Sequence, residues 1–201
     1  MYAALSASLD EEPRERPEDP TAEEPKVTAP SIRELLGDYL DGVVVLIVAA
    51  CVLSFVLFEG GQAIVTAFTA SVLVLLAAID VQHRVLPNRI VLPAIAVVLV
   101  AQLAFFPDKA AEWIGAGVAA ALFLGLPLLV RPGGMGGGDI KLAVLLGVAL
   151  GWPVFGAILI GCLSIVPVAL WMLSRDGSVR SSTLPFGPFL ALGTLVILFT
   201  S

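Results

Sequence analysis

Histidine and cysteine are nearly absent from this 201-residue chain, which has one His and two Cys. His83 stands in a short polar stretch without companion ligands, and no CxxC pair occurs anywhere. A zinc centre or a disulfide framework needs such spacing, so no metal and no cofactor are expected. Cys51 and Cys162 lie in separate apolar runs, where cysteine is expected to pack as a small buried hydrophobe. Bases are also sparse: eleven Lys and Arg in all, with no patch broad enough to bind nucleic acid. The first thirty residues have no continuous apolar run, which excludes a secretory signal peptide at this end. Charge of either sign is scarce overall. Only 14% of residues are charged while 58% are hydrophobic, a balance that an ordinary water-soluble surface does not tolerate.

The formal net charge of −6 belongs to one end. Residues 1–38 hold ten acids and four bases, and the remaining chain has seven of each. Residues 1–30, rich in Glu and Pro, bury too little apolar surface to offset ordering entropy and read as a disordered cytoplasmic tail. Ile32, Leu35, Leu36, Tyr39 and Leu40 recur at helical spacing after Ser31, so 31–60 reads as a juxtamembrane helix followed by a first span. Residues 61–201 form the membrane core. The chain is thus expected to be all-α, a polytopic membrane bundle of about seven helices.

Seven apolar segments carry that expectation: 42–58, 62–80, 89–106, 111–130, 139–151, 153–173 and 186–200. Several fall short of the ~20 residues that cross a hydrocarbon core, as expected around a site that admits water. The turn Gly151-Trp152-Pro153 matters most, because without a reversal there 139–173 becomes one kinked helix. With alternating spans, the tail and the loops 81–88, 131–138 and 174–185 share one side. That side then holds ten of the eleven bases, leaving only Lys109 opposite. Such asymmetry places the N-terminus in the cytoplasm.

Two acids break the rule that charge stays out of the spans. Asp80 ends one apolar segment and Asp139 begins another. A carboxylate at the edge of a bilayer core is costly, so it is a functional candidate by default. Asp80 is followed by Val81-Gln82-His83-Arg84-Val85-Leu86-Pro87-Asn88. Asp139 follows Gly136-Gly137-Gly138 and precedes Ile140-Lys141, and Pro185-Phe186-Gly187-Pro188-Phe189 lies further on. These stretches, in this order on hydrophobic segments, resemble the prepilin leader peptidases, membrane aspartic peptidases with a GxGD motif. The resemblance runs from about Ile79 to Gly193.

That resemblance implies a catalytic pair, Asp80 and Asp139, with Gly136, Gly138, Lys141, Pro87 and Asn88 as supporting motif residues. It implies cleavage of the basic leader from type IV pilin-like precursors at the cytoplasmic face of a bacterial plasma membrane. The partners would be those precursors and the lipid bilayer, and oligomeric state stays open. Many members carry an N-terminal insert with two CxxC pairs linked to methylation; the absence of CxxC here points to a short, peptidase-only form.

Independent physics fits. An aspartate dyad needs one ionised carboxylate to take a proton from water and one protonated carboxyl to donate to the carbonyl. Asp139 falls in the first turn of its helix, where the macrodipole favours negative charge, and Asp80 in the last turn of its own, where it does not. Asp139 is therefore the expected more acidic partner. Asp139, Ala143, Gly147 and Gly151 make a stripe of small residues, which is expected to bring Asp139 towards the helix of Asp80. Lys141 stands about 200° around the helix from Asp139, so it is expected to reach lipid phosphates or substrate rather than that carboxylate. In 185–188 the plain reading is a helix start with Thr183 as its cap, and neither Phe186 nor Gly187 is placed in the chemistry.

A small proton- or ion-coupled transporter using the same carboxylates is the alternative. It would place them near the bilayer midplane in a repeated architecture, and no repeat is visible. A presenilin-like intramembrane protease would show Pro-Ala-Leu where this chain has Pro-Phe-Gly.

Overall fold

Each apolar run becomes one helix in the computed structural model, which describes residues 37–130, 136–176 and 185–200. The acidic tail, most of the juxtamembrane stretch, Gly133 to Met135 and Thr183 lie outside the described residues. The helices are α1 (Leu40–Leu57), α2 (Gly60–His83), α3 (Asn88–Phe105), α4 (Ala110–Val130), α5 (Gly137–Leu150), α6 (Val154–Asp176) and α7 (Gly187–Thr200). Short 3₁₀ turns precede α1 and α4, and no strand occurs among the described residues. Runs such as Val43-Val44-Val45 or Leu73-Val74-Leu75 would suit strands in water. In lipid every backbone N–H and C=O must be satisfied within the segment, and a helix does this alone.

Among the described residues, five stretches are long and apolar enough to cross a membrane, in α1, α2, α3, α4 with the turn before it, and α6, and α7 is a shorter apolar helix. Breaks fall where the sequence places them. Arg84 takes a left-handed conformation (φ 53°) to end α2, and Pro87 precedes α3 in extended conformation. Gly151 has φ 68° between α5 and α6, a value that a side chain would strain.

Neighbouring helices run antiparallel. Val43 packs with Ile79, and Cys51 meets Ser71 at 3.3 Å, so α1 and α2 oppose each other. Gly117 faces Val148 and Gly125 faces Ile140, which sets α4 against α5. Gly156 faces Ile197 while Gly161 abuts Phe189, so α6 runs opposite to α7. Because α5 ends beside Leu198 and α7 begins at the other end of the bundle, the Gly151–Pro153 turn does reverse the chain. All seven helices therefore alternate in direction.

α5 is the innermost helix, with α3, α4 and α7 around it and α2 in lighter contact. Its residues Leu142, Ala143 and Leu145 to Leu150 are all buried. At ~21 Å it is too short to span a bilayer core unaided, and its neighbours shield it from lipid. Glycines let those neighbours come close. A Cβ on Gly147 would stand 2.5 Å from the Ala116 carbonyl oxygen, and one on Gly161 would stand 2.9 Å from that of Phe189. The small-residue stripe of α5 thus faces α4, not the helix of Asp80: Gly147 abuts Ala116 and Gly117, and Gly151 abuts Glu112 and Trp113.

Several buried and half-buried hydroxyls are satisfied within their own helix, whereas Thr69 Oγ1 and Trp113 Nε1 are buried without a hydrogen-bond partner among the described residues. Ser54, Ser71, Ser164 and Thr194 each donate to the carbonyl four residues back. Gln102 donates through Nε2 to the carbonyl of Ala149 at 3.0 Å, near the C-terminus of α5, where helix carbonyls lack partners of their own. Cys51 is half-buried as a small packing residue, whereas Cys162 is exposed on the outer face of α6, contrary to expectation.

Candidate active site

Asp80 owes its position to the way α2 stops. Leu76 and Ile79 bury the face of the last turns, and the Arg84 N–H closes the helix on the Asp80 carbonyl at 2.8 Å. The Asp80 side chain is held inside, only 6% exposed. Its Oδ2 accepts a hydrogen bond of 2.9 Å from the backbone N–H of Gly187, the first residue of α7. A Cβ on Gly187 would sit 2.6 Å from that oxygen, so glycine is what permits the approach. The carboxylate also faces the positive end of the α7 dipole. That end opposes the unfavourable C-terminal end of α2, so helix termini alone no longer separate Asp80 from Asp139.

Asp139 is set by the glycines before it. Gly136 is the N-cap in extended conformation, Gly137 and Gly138 form the start of α5, and Asp139 occupies the third helical position. A carboxylate there lies among unpaired N–H groups in the first turn, which favour negative charge. The Asp139 N–H donates to the Gly136 carbonyl at 3.1 Å. Gly138 packs directly on Leu86, where a Cβ would come within 3.0 Å of the leucine Cβ. Through that contact the segment following Asp80 is pressed against the segment bearing Asp139.

A second tie joins the same two segments. Lys141 Nζ donates to Asn88 Oδ1 at 2.7 Å, linking the second turn of α5 to the start of α3. Lys141 thus forms an exposed bracket to Asn88. Pro87 shapes that corner, its carbonyl accepting from the N–H groups of Ile90 and Val91 at 3.0 and 3.2 Å.

The structure thus gathers all the motif residues at one end of the bundle. Leu86, in the segment that follows Asp80, packs on Gly138, the neighbour of Asp139, which brings the two acids to the same end of the bundle. Gly136, Gly138, Lys141, Pro87 and Asn88 surround Asp139 and the corner between α2 and α3. Among the described residues, no group of three or more His, Cys, Asp and Glu assembles that could hold a metal ion. Sequence reasoning missed Gly187 as part of the site. Its signal was the Pro-Phe-Gly-Pro run, but contact between residues 107 positions apart cannot be read from local pattern.

Among the described residues, an all-helical bundle with apolar spans fits a multi-pass membrane protein, and Asp80 and Asp139 lie at one end of it. Residues 67–173 match the model of the type IV leader peptidase family, and the chain belongs to that family. It is 33% identical over 134 residues to the prepilin leader peptidase/N-methyltransferase of Legionella pneumophila, covering 64% of this chain and 47% of that protein. It is 36% identical over 151 residues to the protein of the same name from Burkholderia pseudomallei, covering 71% of this chain and 48% of that protein. Leader peptidase HopD of Escherichia coli is 33% identical over 134 residues, 62% of this chain and 84% of that protein. The chain spans about half the length of the two larger relatives. No solved structure shows a significant match.

Proposed function

We propose that this protein is a membrane aspartic endopeptidase that removes the basic leader of type IV pilin-like precursors at the cytoplasmic face, using Asp80 and Asp139 as its dyad. The observation that carries the reading is convergence. The end of α2, the start of α5 and the start of α7 lie at one end of the bundle, with Gly138 packed on Leu86 and Gly187 holding Asp80. The relatives' names supply the substrate class.

In the proposed reaction the scissile peptide lies between the carboxyls. The ionised carboxylate takes a proton from water as the water oxygen bonds to the carbonyl carbon, and the protonated carboxyl donates to the carbonyl oxygen. A tetrahedral diol results. Return of a proton to the amide nitrogen then breaks the C–N bond and releases leader and mature N-terminus. The N–H of Gly187 fixes the rotamer of Asp80, so reacting atoms are positioned before substrate arrives.

The test is processing of a co-expressed pilin-like precursor, followed by the mobility shift that leader loss produces. Asp80→Asn and Asp139→Asn should each abolish the shift while the protein still accumulates in membranes. Normal processing by either variant would refute the dyad.

A further inference from the structure

Beside Asp80 runs an open apolar groove of about 540 Å³, bounded by α1, α2 and α7. Its walls include Gly42 and Leu46 of α1, Val74 and Ala78 of α2, and Ala191 and Leu195 of α7. We propose that this groove docks the apolar helix of the precursor, with α1 serving as a specificity wall. The inference rests on the peptidase reading above and extends it.

Four observations point to that occupant. The groove adjoins the site: its walls include Ala78 and Val81, two residues before and one after Asp80, and Pro188, which follows Gly187, whose N–H binds the Asp80 carboxylate. From Val81 back to Val74 it extends ~10 Å along α2, about two helical turns, away from the level of the acids. A leader cut at the dyad leaves its apolar helix to run in that direction. The lining suits a helix, since Gly42, Ala77, Ala78 and Ala191 leave room for close backbone approach, the means by which helices associate in lipid. Charge is also complementary. Asp41, next to Gly42 in the first turn of α1, adds an exposed acid at the end where a basic leader would lie.

α1 is otherwise little used by the fold. It packs chiefly on α2, and Val44, Val45, Val48, Val52 and Val56 remain exposed along it. Both α1 and α7 lie outside the residues that match the family model, so two of the three groove walls belong to parts of this chain beyond the matched core. Of the two, α1 can select among precursors without altering the chemistry, whereas α7 also carries Gly187.

Photo-crosslinking decides the matter without disturbing the fold. A benzophenone amino acid replaces Leu46 or Leu192, both exposed and lining the groove, in an Asp139→Asn background that keeps precursor uncut. Control probes replace Val45 and Val56, which are exposed on α1 outside the groove. The expected result is precursor adducts from the groove positions at least fivefold above the controls. Equal yields, or phospholipid adducts alone, would overturn the proposal. A second variant, Gly42→Leu, adds bulk where nothing lies within 4 Å of a Cβ. It should raise KM for the precursor at least tenfold and leave kcat within twofold, and an unchanged KM would count against docking. Wild-type protein reports on the underlying reading separately. If it leaves the precursor intact, the peptidase assignment itself fails and this inference with it. If it cleaves while groove and control probes behave alike, only the groove is wrong.

Discussion

Gly187 is the residue on which the site geometry turns. Its N–H donates to Asp80 and its missing side chain makes space for that contact. Gly187→Ala would place a methyl group against the carboxylate and force the two apart. A hydrogen bond to a charged group contributes roughly 1.5–3 kcal/mol, and each 1.4 kcal/mol is tenfold in rate. Processing is therefore expected to slow about 10- to 100-fold while membrane accumulation stays normal; timed precursor conversion measures it. The proposed division of labour between the carboxyls has its own signature. The rate should fall on the acid side as the base becomes protonated and on the alkaline side as the acid ionises, giving a bell-shaped profile in purified, detergent-solubilised enzyme. A profile flat through both limbs would argue against a shared-proton pair.

Among the elements, α5 is the one that cannot be moved. It carries Asp139 in its first turn, buries Leu142, Ala143 and Leu145 to Leu150, and ends where Gln102 donates to the carbonyl of Ala149. Close backbone contact through Gly147 against Ala116 and Gly117 sets its distance from α4. Gly147→Leu would overfill that contact, and overpacking of this kind costs about 1–3 kcal/mol. A lower Tm in detergent is expected, with activity falling as α5 shifts. An unchanged Tm would mean that α4 and α5 can separate without loss. The bracket from Lys141 to Asn88 is exposed, and an exposed polar pair contributes under about 1 kcal/mol, so it serves to register α5 against the α2–α3 corner more than to stabilise it.

The whole molecule has two unlike ends. One gathers the acids with Arg84, Arg89 and Lys141; the other has Lys109 near Gln62, Gln102 and Trp113 around a cavity of about 130 Å³. Strict alternation of seven helices keeps these groups apart. If the end bearing the acids faces the cytoplasm, as proposed, reporters should divide cleanly. Alkaline phosphatase inserted at 108–109 should be active and a fluorescent protein inserted at 85–86 should fluoresce. The reverse pattern would place the acids on the wrong side for a leader held in the cytoplasm.

Hydropathy and breakers alone determined the helices and their approximate limits; the reversal at Gly151 leaned on the distribution of bases, and the packing of α5 and α7 decided it. In lipid, backbone hydrogen bonding leaves an apolar run no other regular choice, so segment and structure coincide. Motif spacing likewise made Asp80 and Asp139 conspicuous, because charge at a span edge is rare. Which faces meet was a different matter. The stripe through Gly147 was legible as a close-packing surface, yet only the fold turned it towards α4. Lys141 found Asn88, and Asp80 found Gly187, across gaps of 53 and 107 residues. Apolar helices in a bilayer carry no polar-versus-apolar asymmetry to orient them, so partner choice rests on the fit of side chains from distant segments, and that fit exists only once the bundle is assembled.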